Sequence, residues 1–91
     1  MMKEIPKTAK AYKKTDVFNE KTVPKALLVE HSTKSNVWGK IIVLEGELIY
    51  SIPSTNEQFE LTVSNFGVVE PEVKHLVKPV GKVKFYVEFY K

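Results

Sequence analysis

Two histidines are the side chains in this sequence that are best suited to acid–base or ligand chemistry near neutral pH. If the segments around His31 and His75 form strands, alternation places each imidazole on the same face as nearby apolar residues. Those residues are Leu27 and Val29 for His31, and Val73 and Val77 for His75. Two inward imidazoles from different strands can share one pocket, where they bind a divalent metal such as zinc or exchange protons with a ligand. The alternative is a structural role, in which a backbone carbonyl holds each ring.

A metal ion would need ligands beyond the two histidines, because zinc sites in proteins use at least three side chains. Three carboxylates are candidates: Glu45, Glu70 and Glu72. Alternation along its strand gives Glu45 an inward position, although a turn position with the carboxylate in water is the simpler interpretation. Glu70 and Glu72 lie close to His75 in the chain, and each could be a ligand, a base or a solvated charge. The predicted metal site is therefore His31 and His75 with one of these carboxylates.

Aromatic residues could supply an apolar wall beside the histidines. Trp38 lies within a long apolar run, and Phe85 lies in the last strand of the chain. Most such residues are expected in the core, but one or two at the mouth of a barrel would line a pocket for a small ligand. The predicted ligand pocket contains five residues: His31, His75, Trp38, Glu45 and Phe85.

Short apolar runs separated by turn residues must position these side chains. Eight strands are predicted, at 12–18, 26–31, 37–45, 47–52, 57–63, 66–70, 74–78 and 82–90. The sequence Glu45-Gly46-Glu47 predicts a bulge or a tight bend between two of them. The last strand alternates most clearly, and no segment has a convincing helical pattern. Regularly spaced short strands indicate an all-β sandwich or barrel.

The composition fits a single domain over residues 1–91, with an irregular arm at 1–11. Hydrophobic residues make up 43% and charged residues 27%, as in ordinary globular proteins. The absence of cysteine excludes disulfides and thiolate metal sites, and it favours a reducing compartment. No signal peptide or membrane span is evident, so a cytoplasmic protein without a membrane partner is expected.

The positive charge of the chain does not indicate a nucleic-acid partner. The net charge is +3, but much of the excess falls in the first fourteen residues. Every basic residue is lysine, and lysine lacks the planar fork with which arginine makes bidentate contacts to phosphate or guanine. We therefore expect no nucleic-acid binding.

Four stretches of the sequence point to one family: YKKTDVF at 12–18, EHSTKSNVWGKIIVLEGELIY at 30–50, GVVEPEVKHLV at 67–77 and the terminal FYVEFYK. Together they resemble the TehB/YeaR-like family of cupin-like domains, which is associated by name with tellurite resistance. VLEGEL resembles the turn of the first cupin motif, and Gly67, Pro71 and His75 resemble the second. The resemblance implies a small cupin-like antiparallel β-barrel (a double-stranded β-helix, or jelly roll) that forms a homodimer.

The sequence departs from metal-binding cupins at several positions. Those proteins bring a His-x-His pair and a glutamate before the glycine of their first motif, and one histidine from the second. Before Gly46 this chain has only His31, and Gly39 stands where the glutamate is expected. The interval from Pro71 to His75 is one residue shorter than the common cupin spacing. A complete metal site of three histidines and one glutamate is therefore not expected.

Two functions follow from the residues and the resemblance. The first is a binding module for a small molecule or a metal oxyanion, acting in a stress response such as that to tellurite. The alternative is a small metal-dependent enzyme in which His31 and His75 hold a metal or act as acid and base. In some relatives the domain precedes a methyltransferase that uses S-adenosylmethionine. A chain of 91 residues has no room for that domain, so methyl transfer is not expected.

Overall fold

The computed structural model describes residues 2–91, and its regular secondary structure is almost entirely β-strand. Its strands are β1 (Ala11–Lys14), β2 (Phe18–Asn19), β3 (Trp38–Ile52), β4 (Glu57–Leu61), β5 (Gly67–Val69) and β6 (Leu76–Tyr90). Two single 3-10 turns, Lys25–Leu28 and Pro53–Thr55, are the helical segments of the described chain. None of the described helical segments has the length and apolar character needed to span a bilayer. The prediction of an all-β fold is confirmed.

A long antiparallel pair, β3 and β6, forms the centre of the sheet. Each strand has 15 residues, and their pairing runs from Trp38 opposite Tyr90 to Ser51 opposite Leu76. β1 and β2 pair with the outer edge of β6, while β4 and β5 pair with the outer edge of β3, all antiparallel. The hydrogen-bonded path runs β1-β6-β3-β4 and does not return to its start. The structure is thus a single six-stranded sheet, and the predicted closed barrel or jelly roll is not confirmed.

Two irregularities interrupt the pairing of β3 with β6 near its middle. The register of β3 against β6 shifts between Val43 and Glu45, and again between Gly46 and Glu47. Gly46 has a φ of +82°, and a Cβ at this position would clash with the carbonyl oxygen of Lys82. Only glycine fits both constraints. The predicted bulge or bend at this point of the chain is confirmed.

The bulge explains why the buried residues of β3 switch parity. Positions 41 and 43 are buried before it, and positions 48, 50 and 52 after it, so both halves of the strand face the same side of the bent sheet. One core cluster fills that side: Ile41, Val43, Leu48, Tyr50, Ile52, Leu61, Val69, Val77, Val83 and Phe85.

Several predicted strand boundaries are wrong for identifiable reasons. Segment 26–31 is not a strand, because Pro24 starts a tight turn that leads into the 3-10 turn. As a consequence Val29 does not lie on an inner face, and its side chain is 61% exposed. Segments 37–45 and 47–52 form the one strand β3, and 74–78 and 82–90 both contribute to β6, since bulges bend these strands without ending them. Segment 57–63 ends at Leu61, and Val63 is 67% exposed in a turn.

The first half of β6 pairs on one side only. Between Leu76 and Val83 its described partner is β3 alone, because β2 begins to pair at Lys84. Pro79 lies in this stretch, where a missing N–H is tolerated. The N–H of Val83 donates a hydrogen bond of 3.1 Å to a carboxylate oxygen of Glu20. The Glu20 side chain thus binds the edge of β6 at Val83, just before β2 begins to pair with it.

Candidate functional site

His31 and His75 meet at an isolated antiparallel bridge between two irregular segments. The N–H of each residue donates to the carbonyl oxygen of the other, both at 2.9 Å. This pairing brings the side chains together, and their ring centroids lie 4.1 Å apart with the planes tilted by 58°. The structure therefore places side by side the two histidines on which the sequence prediction depended.

Hydrogen bonds to the main chain fix the orientation of both rings. Nδ1 of His31 lies 2.9 Å from the carbonyl oxygen of Val29, and Nδ1 of His75 lies 3.0 Å from that of Val73. A carbonyl oxygen only accepts, so Nδ1 must carry the proton in each ring. In the neutral ring, Nε2 is then the acceptor. The pair consequently offers two nitrogen lone pairs that no backbone group of the described chain uses.

The two rings differ in their surroundings. His75 is 4% exposed, whereas His31 is half-buried. Burial, together with the nearby His31, lowers the pKa of His75 to about 4, although its hydrogen bond to Val73 acts in the opposite direction. The ring of Tyr50 packs edge-on against that of His75, with centroids 5.7 Å apart. His75 is thus a neutral imidazole at physiological pH.

Both rings line a cavity of about 410 Å³. Its lining comes from the 3-10 turn Lys25–Leu28, from strands β1, β2, β3, β5 and β6, and from the loops that carry His31 and Lys34. Its walls are mainly apolar, with Phe18, Leu27, Ile41, Val77, Phe85 and Phe89 among them. The volume lies within the usual range for small-molecule sites.

Charge in this cavity is of one sign. Lys13 on β1 and Lys34 in the loop before β3 line it, and no aspartate or glutamate of the described residues does. Both lysines are exposed, whereas His31 is half-buried and His75 is buried. The positive charge therefore belongs to the more solvent-exposed part of the lining.

The other predicted site residues lie in different parts of the structure, and one of those named here, Phe85, lines the cavity. Phe85, which is fully buried, lines the cavity, but Trp38 and Glu45 do not belong to its lining. Glu45 is exposed in the bulge of β3, which agrees with the turn position considered for it. Glu70 pairs with Lys3 at 3.4 Å. These carboxylates are not gathered around the histidines.

Residues 2–91 contain no group of three or more histidine, aspartate or glutamate side chains placed to hold a metal ion. Glu72 lies in a turn with a φ of +65°, where its N–H donates to the carbonyl oxygen of Thr33. A zinc ion would therefore find two imidazoles here and no third histidine or carboxylate ligand from the described residues. The described residues do not fit the metal centre of a metal-binding cupin.

Lys13, Lys34 and the 3-10 turn that carries Leu27 were not predicted from the sequence as parts of the site. Lysines are common on every surface, and nothing local distinguishes these two from the rest. The available signal was Pro24, which fixes φ and favours a turn over the strand predicted at 26–31.

The family model of the TehB-like domain matches residues 13–87. The chain belongs to the TehB-like family. No curated protein gives a significant match. A protein of Escherichia coli strain K12 superposes on this TehB-like domain with a TM-score of 0.91 at 20% identity, over 99% of this chain and 97% of that one. That likeness shows a shared fold.

A second solved structure, TehB from Haemophilus influenzae, matches with a TM-score of 0.81 and 25% identity. The match covers 90% of this chain but 31% of that protein. This TehB-like domain therefore corresponds to less than one third of the TehB chain.

Proposed function

We propose that this TehB-like domain binds a small molecule in the cavity, with His31 and His75 as the polar contacts at its inner end. The observation that carries the proposal is the ring pair, which lines a mainly apolar cavity of about 410 Å³ and keeps its Nδ1 atoms hydrogen-bonded to the main chain. No described hydrogen bond occupies either Nε2 atom, so both remain available to a ligand. We further propose that the bent sheet is a relative of the cupin barrel, and that the ligand connects the domain to the stress response that the family's name suggests.

A small metal-dependent enzyme is the second candidate, and it has less support. Two adjacent imidazoles, one of them kept neutral by burial, could act as bases or as ligands. The missing third ligand argues against a resident metal. Elemental analysis of the purified protein tests this alternative. One metal ion per chain that is lost when either His31 or His75 is replaced would favour it.

The binding proposal is tested by thermal shift with a panel that includes potassium tellurite, sodium selenite and small organic acids. Two variants, His31→Asn and His75→Asn, then probe the site. The amide nitrogen of asparagine takes roughly the place of Nδ1 and keeps a donor for the carbonyl, while the Nε2 atom is removed. Lys78→Gln, at an exposed position of β6 outside the cavity lining, is the matched control.

We expect the ligand-induced rise in Tm to vanish in both asparagine variants and to persist in Lys78→Gln. The melting temperature of the ligand-free variants should stay within a few degrees of the parent. Asparagine variants that bind every ligand as the parent does would refute the proposal.

A further inference from the structure

We infer that the natural ligand is an amphipathic organic anion: an apolar body with an anionic group at one end and a hydrogen-bond donor at the other. The inference rests on the proposed binding function and names the ligand class for the same cavity. It differs from a metal cation and from a bare inorganic oxyanion, and three independent features of the cavity lead to it.

The first feature is the apolar wall. Side chains such as Leu27, Val77, Phe85 and Phe89 bound a space far larger than a four- or five-atom oxyanion fills. A hydrated oxyanion would lose water there without gaining polar partners from these walls. An apolar body, in contrast, gains free energy in proportion to the surface that the walls remove from water. The walls therefore favour a ligand with an aromatic or branched hydrocarbon part.

The second feature is the charge at the opening. Lys13 and Lys34 come from separate elements, β1 and the loop before β3, yet both line the cavity. No acidic side chain of residues 2–91 lines it to compensate them. A cation is repelled by this arrangement, while an anionic group at the exposed end of a bound ligand is attracted. Because both lysines are exposed, the anionic group stays near water.

The third feature is the acceptor pair at the inner end. Both Nδ1 atoms donate to carbonyls, so the Nε2 atoms of neutral rings can only accept. No described side-chain polar atom that is buried lacks a hydrogen-bond partner. The Nε2 of His75 makes no hydrogen bond in the described chain, so it must reach solvent, and His75 lines the cavity. A ligand hydroxyl placed there would replace that solvent contact.

Other titratable groups surround the ring pair without changing this pattern. Tyr12 on β1 lines the same cavity, and Tyr50 on β3 touches His75 with its ring. The hydroxyl of Tyr50 donates to the carbonyl oxygen of Val68 and is not available to a ligand. Glu70 and Glu72, in the turn that leads to His75, are outside the lining.

The experiment uses four probes that remove one feature at a time from the full chain. 4-Hydroxybenzoate has all three features, benzoate lacks the donor, 4-hydroxybenzyl alcohol lacks the charge, and potassium tellurite lacks the apolar body. Dissociation constants are measured by isothermal titration calorimetry at low ionic strength. We expect 4-hydroxybenzoate to bind most tightly, with a loss of roughly threefold to tenfold for benzoate and for the alcohol. Tellurite should bind most weakly.

A variant carrying Lys13→Gln and Lys34→Gln should bind 4-hydroxybenzoate no better than the alcohol, with its melting temperature unchanged. The matched control carries Lys78→Gln and Lys82→Gln, at two exposed lysines outside the cavity lining. Tellurite binding as tight as that of 4-hydroxybenzoate, or anions that bind no better than the alcohol, would overturn the inference. If the histidines still govern such binding, the proposed function stands. If no probe binds, both fall.

Discussion

His31 and His75 satisfy each other's backbone through two hydrogen bonds of 2.9 Å, while their rings make separate hydrogen bonds to Val29 and Val73. The main-chain bridge is therefore independent of the side chains that it brings together. A change of either side chain can alter the site and leave the pairing of the two segments intact. Mutation can therefore test the role of the two rings without breaking the backbone bridge.

Replacing each ring by alanine should affect stability unequally. His75→Ala removes a ring that is 4% exposed and leaves a void beside Tyr50, so a loss of about 2 kcal/mol is expected. His31 is half-buried, and His31→Ala should cost less than about 1 kcal/mol. Urea unfolding of both variants measures the difference. Equal losses, or a larger loss at His31, would show that burial of the ring does not determine how much each histidine contributes to stability.

The depressed pKa of His75 predicts a loss of stability in mild acid. An unfolded histidine takes up a proton near pH 6.5, but His75 in the folded chain does so only near 4. Between these values the unfolded state binds more protons, so the free energy of unfolding falls as the pH drops from about 6.5 to about 4. The shift corresponds to about 3 kcal/mol at its full extent.

Chemical denaturation across this pH range tests that window, with His75→Asn as the comparison. The variant retains the contributions of the carboxylates but lacks the ring, so the difference between the two curves isolates His75. Parallel curves from pH 7 to pH 4 would contradict the prediction.

Two glycines with positive φ should respond very differently to alanine. Gly46 has a φ of +82° and would place its new Cβ against the Lys82 carbonyl, so Gly46→Ala should cost about 3 kcal/mol or more. Gly81 has a φ of +67° with open space around it, and Gly81→Ala should cost about 1 kcal/mol. Thermal unfolding of the pair separates steric clash from backbone strain. Similar losses for both would mean that the close approach at Gly46 is not maintained in solution.

The hydroxyl of Tyr50 should contribute measurably to the core. It donates a 2.9 Å hydrogen bond to the carbonyl oxygen of Val68, and burial raises its pKa, so it remains protonated well above physiological pH. Tyr50→Phe leaves that carbonyl without its partner and should cost about 1 to 2 kcal/mol. Tyr12→Phe, at a position that is 47% exposed, should be close to neutral in the same unfolding measurement. A neutral Tyr50→Phe would indicate that solvent replaces the hydroxyl.

The sequence pattern located the inner face of the sheet but not the course of its strands. The shared face of Leu48, Tyr50 and Ile52 was readable, because a buried face constrains side-chain type at every second position. The run 41–44 is apolar at every position, so the sequence did not show which of its faces is buried. Gly46 and Pro79 indicated strand ends, but the structure has none at these residues. Pairing with a long partner carried β3 and β6 through residues that usually interrupt strands.

The two histidines of the candidate site were predictable from the sequence, but its two lysines were not. His75 carries a family motif and sits among apolar neighbours, so its inward position had a local signal. Lys13 and Lys34 reach the same cavity from distant parts of the chain, and only the tertiary packing of β1 and the loop before β3 brings them together. The predicted homodimer stays a prediction. Light scattering over a range of concentrations decides it, by giving either the 10.4 kDa chain mass or twice that value.

The uncovered half of β6 bears on how this protein avoids aggregation. An unpaired strand edge is a template on which a second chain can add its own strand. Here Pro79 offers no donor, and Glu20 already occupies the N–H of Val83, so an incoming strand would find its ladder interrupted at two places. Glu20 therefore removes one of the donors that the added strand of a second copy would need.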